Sequence, residues 1–396
     1  MDNNNFDSQK KEDKVMMHDL KIGVLGGGQL GRMLAQEAVS WNLRLFFMDK
    51  ASDYPVPKVF AGFSQGDITS YEDVMRFGSD KQILTIEIEN VNSKALLELQ
   101  RQGVKVIPQP EVLTIIQDKG LQKNFYDKNG IPTSQYQLVE GNEEILNKVE
   151  DQSIQFPFVQ KTRKAGYDGR GVAVINNRDG LSKLLSGPSV IESLVDIEKE
   201  LAVIVAKTAS GDLTTLPATE MVFDTRGNLL DYLICPAEIN TSQETKCTQI
   251  AKEIITKLDM AGILAVEFFL TRSGEILVNE VAPRPHNSGH HSMNAGVCSQ
   301  YELHLRCLLD LPLPKKTRQN RTAIMWNILG GMQGVGKPNY EGLDEVLMLP
   351  EVYVHLYGKS TTKPLRKMGH VNILGDSSDE AKNKLAIIKS KLKVTT

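Results

Sequence analysis

The chain has 396 residues, of which 41% are hydrophobic and 24% are charged, and its formal net charge is −3. This composition is typical of a globular protein of two or three domains, and the interspersed charges argue against a surface for nucleic acid or for anionic membranes. Because no apolar run reaches the roughly 18 residues of a membrane span and no signal-peptide core precedes the first strand, we expect a cytoplasmic protein.

Shifts in pattern along the chain predict its division into domains. Residues 1–17 are polar and charged, and we expect a disordered leader or extension there. We predict a Rossmann-like N-terminal domain at 18–117, a central domain at 118–314 whose part at about 118–195 carries a flap, and a small strand-rich C-terminal domain at 315–396. The expected fold class is therefore α/β and α+β multidomain.

Cysteine spacing argues against two kinds of small-domain structure. The sequence contains no Cys-x-x-Cys pair, so neither a zinc knuckle nor a disulfide framework is indicated, and a reduced protein is expected. The four cysteines are Cys235, Cys247, Cys298 and Cys307.

The first predicted elements are a strand, a glycine-rich turn and a helix. Residues 21–25 favour a strand, the turn carries Gly26-x-Gly28-x-x-Gly31, and apolar side chains then recur at helical spacing. A second predicted strand at 44–49 ends on an acidic residue. The arrangement predicts a small parallel α/β domain and nominally matches a dinucleotide-binding fingerprint, so a nicotinamide-dependent oxidoreductase is one open alternative.

The next segment combines lysines with a second glycine-rich turn. Residues 118–132 are predicted to contain a short helix, with Lys119 near its start. A strand that ends on Lys161 is followed by the glycine-rich segment 162–171 and by a strand at 172–175. Because a P-loop connects a strand to a helix, this strand–turn–strand pattern instead predicts a β-hairpin flap whose backbone N–H groups close over phosphates. A long structural hairpin turn is the alternative.

Further strands and a helix follow the flap. Residues 189–195 are predicted to form an edge-type strand, and Glu200 precedes another apolar strand. The segment Thr241 to Glu244 matches a capping box at the start of an amphipathic helix. The part of the chain that follows Thr322 is rich in predicted strands.

Two apolar runs on either side of Ser273-Gly274 predict a β-hairpin in which Glu267 faces Glu280. A one-residue change in the loop would leave the two acids diagonal neighbours. Facing carboxylates about 5 Å apart repel, which is tolerable if a hard cation such as Mg²⁺ lies between them and also binds substrate phosphates. An ordinary hairpin with a polar outer side is the alternative. Asn279 and the later Arg284 favour the metal–phosphate interpretation.

The order of these motifs resembles the ATP-grasp superfamily. Within it, three segments are similar to the family of 5-(carboxyamino)imidazole ribonucleotide synthases of purine biosynthesis. They are Gly26 to Met33 (GGGQLGRM), Gly166 to Gly171 (GYDGRG) and Asn279 to His290 (NEVAPRPHNSGH). The resemblance runs from Leu20 to about the C-terminus and implies an ATP-grasp domain between a Rossmann-like domain and a C-terminal domain that binds the substrate phosphate.

The resemblance implies sites for ATP and Mg²⁺. Lysines would neutralise the phosphates, the flap would cover them, a hinge would meet the adenine through backbone groups, and an acid would accept from the ribose hydroxyls. The lysines are Lys119 and Lys161, and the flap comprises Gly166, Tyr167, Asp168, Gly169, Arg170, Gly171 and Val172. The hinge comprises Glu192, Ser193, Leu194 and Val195, the ribose acid is Glu200, Phe223 and Asn279 complete the nucleotide site, and Glu267 and Glu280 would hold Mg²⁺.

The resemblance also implies two further substrates, aminoimidazole ribonucleotide and bicarbonate. ATP would phosphorylate bicarbonate to carboxyphosphate, which the amine attacks, so positioning and charge neutralisation carry catalysis. Catalytic roles are implied for Arg284, His286, Asn287 and Lys161. Substrate contacts are implied for Tyr167, Asp168, Arg170, Arg284, His286 and Asn287, for Lys359 and Arg366 at the 5′-phosphate, and for Gln29 and Glu89. For the basic turn around Lys359 taken alone, a solvated loop is the alternative.

Several alternatives stay open. A formate-dependent glycinamide ribonucleotide transformylase would use the same machinery with another amine and another acid, and a nucleotide sensor would bind without catalysis. His286, His290 and His291 could form a zinc site, although the intervening residues argue against a helix. A homodimer is implied by the resemblance, and a hand-off of the product to the next mutase of the purine pathway is considered.

Overall fold

The computed structural model describes residues 19–51, 53–164, 171–224, 229–317 and 320–396. The strands are β1 (Lys21–Leu25), β2 (Arg44–Asp49), β3 (Phe63–Gln65), β4 (Ile83–Ile86), β5 (Lys105–Val106), β6 (Tyr136–Val139), β7 (Phe158–Thr162), β8 (Val172–Ile175), β9 (Ser189–Ser193), β10 (Ile197–Lys207), β11 (Leu213–Thr215), β12 (Thr219–Asp224), β13 (Leu229–Cys235), β14 (Gly262–Thr271), β15 (Ile276–Ala282), β16 (Thr322–Leu329), β17 (Asn339–Glu341), β18 (Val352–Leu356), β19 (Lys367–Gly375) and β20 (Lys393–Thr395).

The helices lie between and on these strands. They are α1 (Gln29–Ser40), α2 (Tyr71–Gly78), α3 (Ser93–Arg101), α4 (Pro110–Ile116), α5 (Lys119–Lys128), α6 (Asn142–Glu150), α7 (Thr241–Lys257), α8 (Ser292–Ala295), α9 (Gln300–Leu309), α10 (Leu343–Leu347) and α11 (Ser378–Lys391). Short 3₁₀ segments occur at Arg178–Lys183 and Asn287–Gly289.

The first sheet is parallel and has the strand order β3-β2-β1-β4-β5. Its apolar strands are buried on both faces, because one cluster packs against α1 and another packs against α2 and α3. Burial on both faces is what a parallel sheet with crossover helices requires. The predicted Rossmann-like fold of this part of the chain is confirmed.

Two acidic side chains of the protein bind the backbone N–H groups of the glycine-rich turn after β1. The N–H groups of Gly28 and Gly31 each donate to Glu87 at 2.5 Å, and the N–H of Gly27 donates to Asp49 at 2.8 Å. A Cβ atom at Gly28 would lie 2.6 Å from a Glu87 oxygen, so the close approach requires glycine. The backbone donors that a dinucleotide pyrophosphate would use are therefore already engaged.

The second sheet is antiparallel and has the order β6-β9-β7-β8. The prediction of an edge strand at 189–195 is wrong, because β6 was not recognised in the sequence and pairs with the open side of β9. Val159 pairs with Glu192 and Lys161 pairs with Val190. Because directly paired and alternate residues share a face, Lys161 and Glu192 lie together on the face opposite the apolar cluster under α6.

The third sheet has nine strands in the order β15-β14-β10-β12-β13-β16-β19-β18, with β11 added beside β10. In the pairing of β10 with β14, Glu200 faces Phe269 and Ala202 faces Glu267. Leu201 points to the other face and packs in the apolar cluster that includes α7. One face of this sheet therefore forms core, and the other presents acids.

Helix α7 starts with a capping box that is shifted by one residue from the prediction. The Asn240 side chain accepts from the Gln243 N–H, and the Gln243 side chain accepts from the Asn240 N–H, both at 3.0 Å. The predicted box at Thr241 to Glu244 is therefore wrong. Both tetrapeptides have a suitable pattern, and asparagine is at least as good an N-cap as threonine.

The β14–β15 hairpin has a longer loop than predicted, and a bulge that compensates for it. Thr271 pairs with Glu275 rather than with Ile276, so the two-residue loop is wrong by one residue. The register then changes: Phe268 pairs with Val278, and Val266 pairs with Val281. Because β15 has one extra residue between these pairs, Glu267 faces both Asn279 and Glu280, and the predicted proximity of the two acids is retained.

The C-terminal strands continue the third sheet. β16 pairs with β13, and α11 packs on β16 and β19 in a separate apolar cluster. The loop after β18 also contacts the N-terminal domain, since Arg32 donates to the Tyr357 carbonyl at 3.1 Å and Lys58 donates to the Gly358 carbonyl at 2.8 Å. The predicted α/β and α+β multidomain fold is confirmed.

Two further findings concern membrane segments and cysteines. Among the described residues, helices that combine the length and the apolar character needed to cross a membrane are absent. The four cysteines are buried and are not linked by disulfide bonds.

The substitution Glu87→Ala tests the filled glycine turn. It would leave the N–H groups of Gly28 and Gly31 unpaired, and each buried unpaired donor costs about 1–3 kcal/mol. We expect the free energy of unfolding in urea to fall by about 2–4 kcal/mol. The matched control is Glu111→Ala at an exposed position of α4, which should change it by less than about 0.5 kcal/mol. Equal losses in the two variants would contradict the role of Glu87.

Candidate functional site

Asp118 fixes the start of α5 and ties it to β7. Its carboxylate accepts from the N–H groups of Gly120 and Leu121 at 2.8 and 3.2 Å and forms two bonds of 2.9 Å with Arg163. The Lys119 N–H donates to the Arg163 carbonyl at 2.9 Å. Because Arg163 directly follows β7, these bonds set the separation between the lysines of α5 and the lysine of β7.

Glu192 is the centre of a buried charge network. Its side chain lies 3.1 Å from the Lys161 ammonium and 3.3 Å from the Lys123 ammonium, and it accepts from the Ser134 hydroxyl at 2.6 Å. Lys161 also donates to the Asn279 side chain at 2.8 Å. Burial alone would raise the pKa of Glu192, but the two ammonium groups hold it below its ordinary value.

One cavity collects these groups from α5, β7, β9 and β15. Its lining residues are Lys119, Gln122, Lys123, Tyr126, Lys161, Glu192, Asn279 and Glu280. Three ammonium groups around one cavity form a suitable site for a polyphosphate. The predicted phosphate lysines, Lys119 and Lys161, are therefore brought together with the predicted Asn279 and Glu280.

Sequence reasoning missed Lys123. The signal that could have found it is its spacing of four residues from Lys119, because residues four apart lie on the same face of a helix. It also missed the bond between Asp118 and Arg163. These two residues are 45 positions apart, and no pattern in a single sequence links them.

The predicted metal acids have different electrostatic surroundings. The ammonium of Lys119 pairs with Glu280 and lowers its pKa well below the ordinary value. Burial raises the pKa of Glu267, and the nearby charges of Glu280 and Glu200 raise it further. His286 lies 3.5 Å from Glu267. A divalent cation between the two acids would remove this repulsion, and their oxygen atoms are the donors that Mg²⁺ prefers, so the pair fits this metal.

The acid pair alone does not complete a coordination sphere. Within the described parts of the chain, no three His, Cys, Asp or Glu side chains come together as metal ligands. Mg²⁺ commonly binds through one or two carboxylates together with substrate phosphates and water. The arrangement therefore fits a cation that arrives with a nucleotide.

Glu200 lies on the same sheet face as Glu267, beside aromatic residues. Burial raises the pKa of Glu200 to about 7, while the charge of Lys161 opposes this shift. Phe223 is partly buried on β12, and the Lys161 ammonium lies 6.0 Å from the centre of the Phe269 ring. An apolar floor with one acid is a suitable surface for a nucleoside.

The predicted hinge and flap are only partly described. Ser193, Leu194 and Val195 lead from β9 to β10, so the hinge joins the second sheet to the third. At the base of the flap, the Thr162 N–H donates to the Gly171 carbonyl at 2.9 Å, and Val172 pairs with Lys161. The predicted flap residues Gly166, Tyr167, Asp168, Gly169 and Arg170 lie outside the described residues.

Arg284 links the loop after β15 to the N-terminal domain. Its Nε lies 2.8 Å from a carboxylate oxygen of Glu89. His286 in the same loop contacts the Ser288 hydroxyl at 2.9 Å and reaches Glu267 with its other ring nitrogen. The structure thus places the predicted Arg284 beside Glu89 and the predicted His286 beside Glu267. Gln29 is half-buried at the start of α1.

Asn287 has an unmet hydrogen-bonding capacity. Both its side-chain oxygen and its side-chain nitrogen are inaccessible to solvent and have no partner among the described residues. A buried polar group without a partner costs about 1–3 kcal/mol, and such groups are often explained by a ligand. Asn287 directly follows His286 in the loop, and its contact with a small oxyanion stays a prediction.

The loop between β18 and β19 carries the two predicted phosphate residues of the C-terminal domain. Lys359 and Arg366 each donate to a nearby backbone carbonyl, at 2.6 and 2.7 Å. Arg32 and Lys58 of the N-terminal domain bind the start of the same loop. Cations from both ends of the chain therefore converge on this loop.

The contacts of the three histidines do not support a zinc site. His286 bonds with Ser288, and His291 contacts the Ser288 carbonyl at 3.1 Å. His290 instead lies in a stack of rings, 4.8 Å from His370 between ring centres. In the described parts of the chain, these rings do not come together as a group of metal ligands.

Three family profiles match the chain in order. Residues 17–117 match the ribonucleotide synthetase preATP-grasp domain, and residues 124–301 match the ATP-grasp domain. Residues 323–384 match the phosphoribosylaminoimidazole carboxylase C-terminal domain.

Relatives and solved structures agree with these profiles. The N5-carboxyaminoimidazole ribonucleotide synthase of Bacillus subtilis is 33% identical over 91% of this chain and 92% of its own length. The N5-carboxyaminoimidazole ribonucleotide synthetase of Thermotoga maritima is 37% identical, with a TM-score of 0.86 over 95% of this chain and 99% of that chain. The Aspergillus clavatus synthase, solved with ADP and 5-aminoimidazole ribonucleotide, is 30% identical, with a TM-score of 0.86 over 95% and 99%.

Fungal relatives are longer than this chain. The chain spans about two thirds of the length of the fungal phosphoribosylaminoimidazole carboxylases that it matches at 35% to 36% identity. The similarity therefore concerns one part of those proteins.

The substitution Glu200→Gln tests the nucleotide surface through opposite effects on stability and binding. With a pKa of about 7 when folded and an ordinary value of 4.5, Glu200 binds more protons in the folded state between these values. Stability therefore falls as the pH rises from 4.5 to 7, and the full cost is present above pH 7. Removing the charge should raise the free energy of unfolding by about 1–3 kcal/mol at pH 8, allowing for partial exposure, but have little effect near pH 4.5.

The same variant should bind ADP roughly tenfold more weakly, because it loses a charged acceptor for the ribose hydroxyls. Urea unfolding at several pH values and calorimetry with ADP measure the two effects. The matched control is Glu198→Gln, an exposed position on the same strand, which should change neither. Unchanged ADP affinity in Glu200→Gln would contradict the ribose role.

Proposed function

Because the chain belongs to the N5-carboxyaminoimidazole ribonucleotide synthase family of ATP-grasp ligases, we propose that it carboxylates 5-aminoimidazole ribonucleotide with bicarbonate and Mg²⁺-bound ATP. The ligase class and ATP-dependent carboxylation of this amine in purine biosynthesis follow from the family. Bicarbonate as the carbon source, Mg²⁺ as the metal and the roles of individual residues are the parts of the proposal that the site supports. The products are N5-carboxyaminoimidazole ribonucleotide, ADP and phosphate.

The observation that carries the proposal is the buried, unpaired amide of Asn287, which directly follows His286 in the chain. It follows Arg284 and His286 in one loop, and His286 contacts Glu267. Such an arrangement offers a small oxyanion both a charged fork and an amide N–H, directly next to the group that would hold the metal and the terminal phosphate. A kinase-like or hydrolytic site would not need a second oxyanion pocket at this point.

In the proposed mechanism the protein mainly positions charged groups. Lys119 and Lys161 bind the ATP phosphates, and bound Mg²⁺ would screen the charge of the transferred phosphoryl group. A bicarbonate oxygen on Arg284 attacks the γ-phosphorus, the bond to ADP breaks, and carboxyphosphate forms. The exocyclic amine then attacks the carboxyl carbon, phosphate leaves, and His286 takes the amine proton.

In this proposal, the basic loop of the C-terminal domain binds the 5′-phosphate of the ribonucleotide. Lys359 and Arg366 now bind backbone carbonyls, so a 5′-phosphate would replace weaker neutral acceptors by charged ones. Glu89, which pairs with Arg284, and Gln29 lie on the side of the N-terminal domain and would orient the same ligand. The proposal therefore uses residues from all three parts of the chain.

The alternatives differ in their support. A nicotinamide-dependent oxidoreductase is not supported, because Glu87 already binds the amides of Gly28 and Gly31. A nucleotide sensor would not need the oxyanion pocket. A formate-dependent glycinamide ribonucleotide transformylase would use the same phosphate site and is separated by its substrates. A homodimer, a cytoplasmic location and product hand-off to a mutase stay predictions.

Substrate substitution tests the reaction directly. With ATP and Mg²⁺, we expect release of ADP and phosphate to rise at least tenfold when 5-aminoimidazole ribonucleotide and bicarbonate are both present, and to vanish with excess chelator. Coupled measurement of ADP and of phosphate checks this. Stimulation by glycinamide ribonucleotide with formate, and not by the first pair, would favour the transformylase instead.

The substitution Asn287→Leu tests the oxyanion pocket. It should raise the KM for bicarbonate at least tenfold, because a bidentate polar contact is lost. Stability should stay constant or increase, since replacing an unpaired buried amide by an apolar group of similar shape removes a cost of about 1–3 kcal/mol. Steady-state kinetics and urea unfolding measure these effects. Asn383→Leu, at an exposed position of α11, is the control, and an unchanged bicarbonate KM in Asn287→Leu would contradict the assignment.

A further inference from the structure

The buried residue Lys123 has no part in the proposed reaction, yet its ammonium group is fully bonded. Only 3% of the surface of Lys123 is exposed to solvent. The ammonium donates to the hydroxyls of Thr133 and Ser134 at 2.6 and 3.0 Å and lies 3.3 Å from Glu192. A lysine has three N–H donors, and these three partners account for all of them.

Lys123 shares one carboxylate with a phosphate-binding lysine. The Oε1 atom of Glu192 is 3.3 Å from Lys123 and 3.1 Å from Lys161. The two lysines differ in their other partners. Lys123 binds two hydroxyls, whereas Lys161 binds the amide oxygen of Asn279 on the metal-binding strand.

Nucleotide binding would change the ionic partners of this shared carboxylate. A phosphate that binds Lys161 competes with Glu192 and Asn279 for its N–H groups. If Lys161 were the only counter-charge of Glu192, its movement would leave a buried carboxylate unpaired, which is strongly unfavourable. A second ammonium that does not move removes this obstacle.

We propose that Lys123 is a positioning residue for ATP: it balances the charge of Glu192 permanently, so that Lys161 can exchange this carboxylate for a nucleotide phosphate. The inference rests on the proposed function, because that function makes Lys161 a phosphate ligand. It assigns Lys123 no contact with the reacting atoms. Its effect on catalysis passes through Glu192 and Lys161.

The titration of Lys123 gives this role a pH dependence. Burial lowers the pKa of Lys123 to about 8, the charges of Lys161 and Lys119 lower it as well, and Glu192 opposes them. These three charges have the largest influence on Lys123, and Glu280 and Tyr126 line the same cavity. As the pH rises through about 8, Lys123 loses its proton and Glu192 loses its permanent counter-charge. ADP affinity should therefore fall between pH 7 and pH 9.

A purely structural ion pair predicts something different. If Lys123 only stabilises the fold through its ion pair with Glu192, its replacement should lower Tm but leave the ADP affinity of the folded protein unchanged. If Lys123 balances the charge of Glu192, its replacement should also weaken ADP binding, and neutralising Glu192 as well should restore both, because Lys161 then leaves no unpaired carboxylate behind.

The experiment compares the full-length protein with Lys123→Met and with the double variant Lys123→Met/Glu192→Gln. Thermal unfolding gives stability, calorimetry with Mg²⁺ and ADP at pH 7 and pH 9 gives affinity, and steady-state assays give the KM for ATP. We expect Lys123→Met to lower Tm and to lower ADP affinity at least tenfold. The double variant should regain most of the lost Tm and of the lost ADP affinity, and its ADP affinity should fall less than the wild-type affinity between pH 7 and pH 9.

The control is Lys207→Met at the last residue of β10. Lys207 lies 3.3 Å from Asp259, away from the cavity, and its replacement should leave ADP affinity and the KM for ATP unchanged. Wild-type ADP affinity in Lys123→Met, or a double variant whose ADP affinity stays as low as that of Lys123→Met, would overturn the proposal. Because ADP binding needs neither aminoimidazole ribonucleotide nor bicarbonate, this result is separate from a failure of the proposed carboxylation. That failure would appear in the wild-type assay.

Discussion

The structure depends most on the burial of three ammonium groups and several carboxylates around one cavity. Charges in such a place are costly unless each has a partner, and here Lys119 pairs with Glu280 while Lys161 and Lys123 share Glu192. In the absence of ligand, these side chains are thus the ionic partners that phosphate and metal would replace. In the proposed function, ligand binding at this cavity would therefore be an exchange of counter-charges.

The fold supplies this cavity by turning charged faces of two sheets toward each other. Lys161 and Glu192 lie on one face of the second sheet, and Glu200 and Glu267 lie on one face of the third. The opposite faces are apolar and pack beneath α6 and α7. Because side chains alternate along each strand, the apolar side chains of the core and the charged side chains of the cavity lie on opposite faces of the same sheet. The salt bridge between Asp118 and Arg163 fixes helix α5, which closes the cavity.

Elements that have strong local signals in the sequence could be predicted better than the contacts between those elements. Most strand and helix positions, the lysines and the facing acids could be predicted, because periodicity and motif order carry that information. The edge position of β9 was wrong, since its neighbour β6 has no distinctive pattern, and the loop of the acid hairpin was one residue longer than its Ser-Gly signal suggested. Lys123 had only the weak signal of its spacing from Lys119. The bonds of Glu87 to the glycine turn join residues that are remote in sequence, so the sequence gives no local sign of them.

The filled glycine turn has a consequence for how nucleotide-binding folds diversify. Glu87 occupies the place of a pyrophosphate, so a side chain of the protein acts as a permanent internal ligand for a loop of cofactor-binding shape. A fold can thereby keep the tight strand-to-helix connection after its cofactor is lost, with one acid maintaining the geometry. Searches that rely on glycine spacing alone would group such chains with dehydrogenases, whereas the residue that directly follows the fourth strand shows whether the glycine turn is already occupied by a side chain.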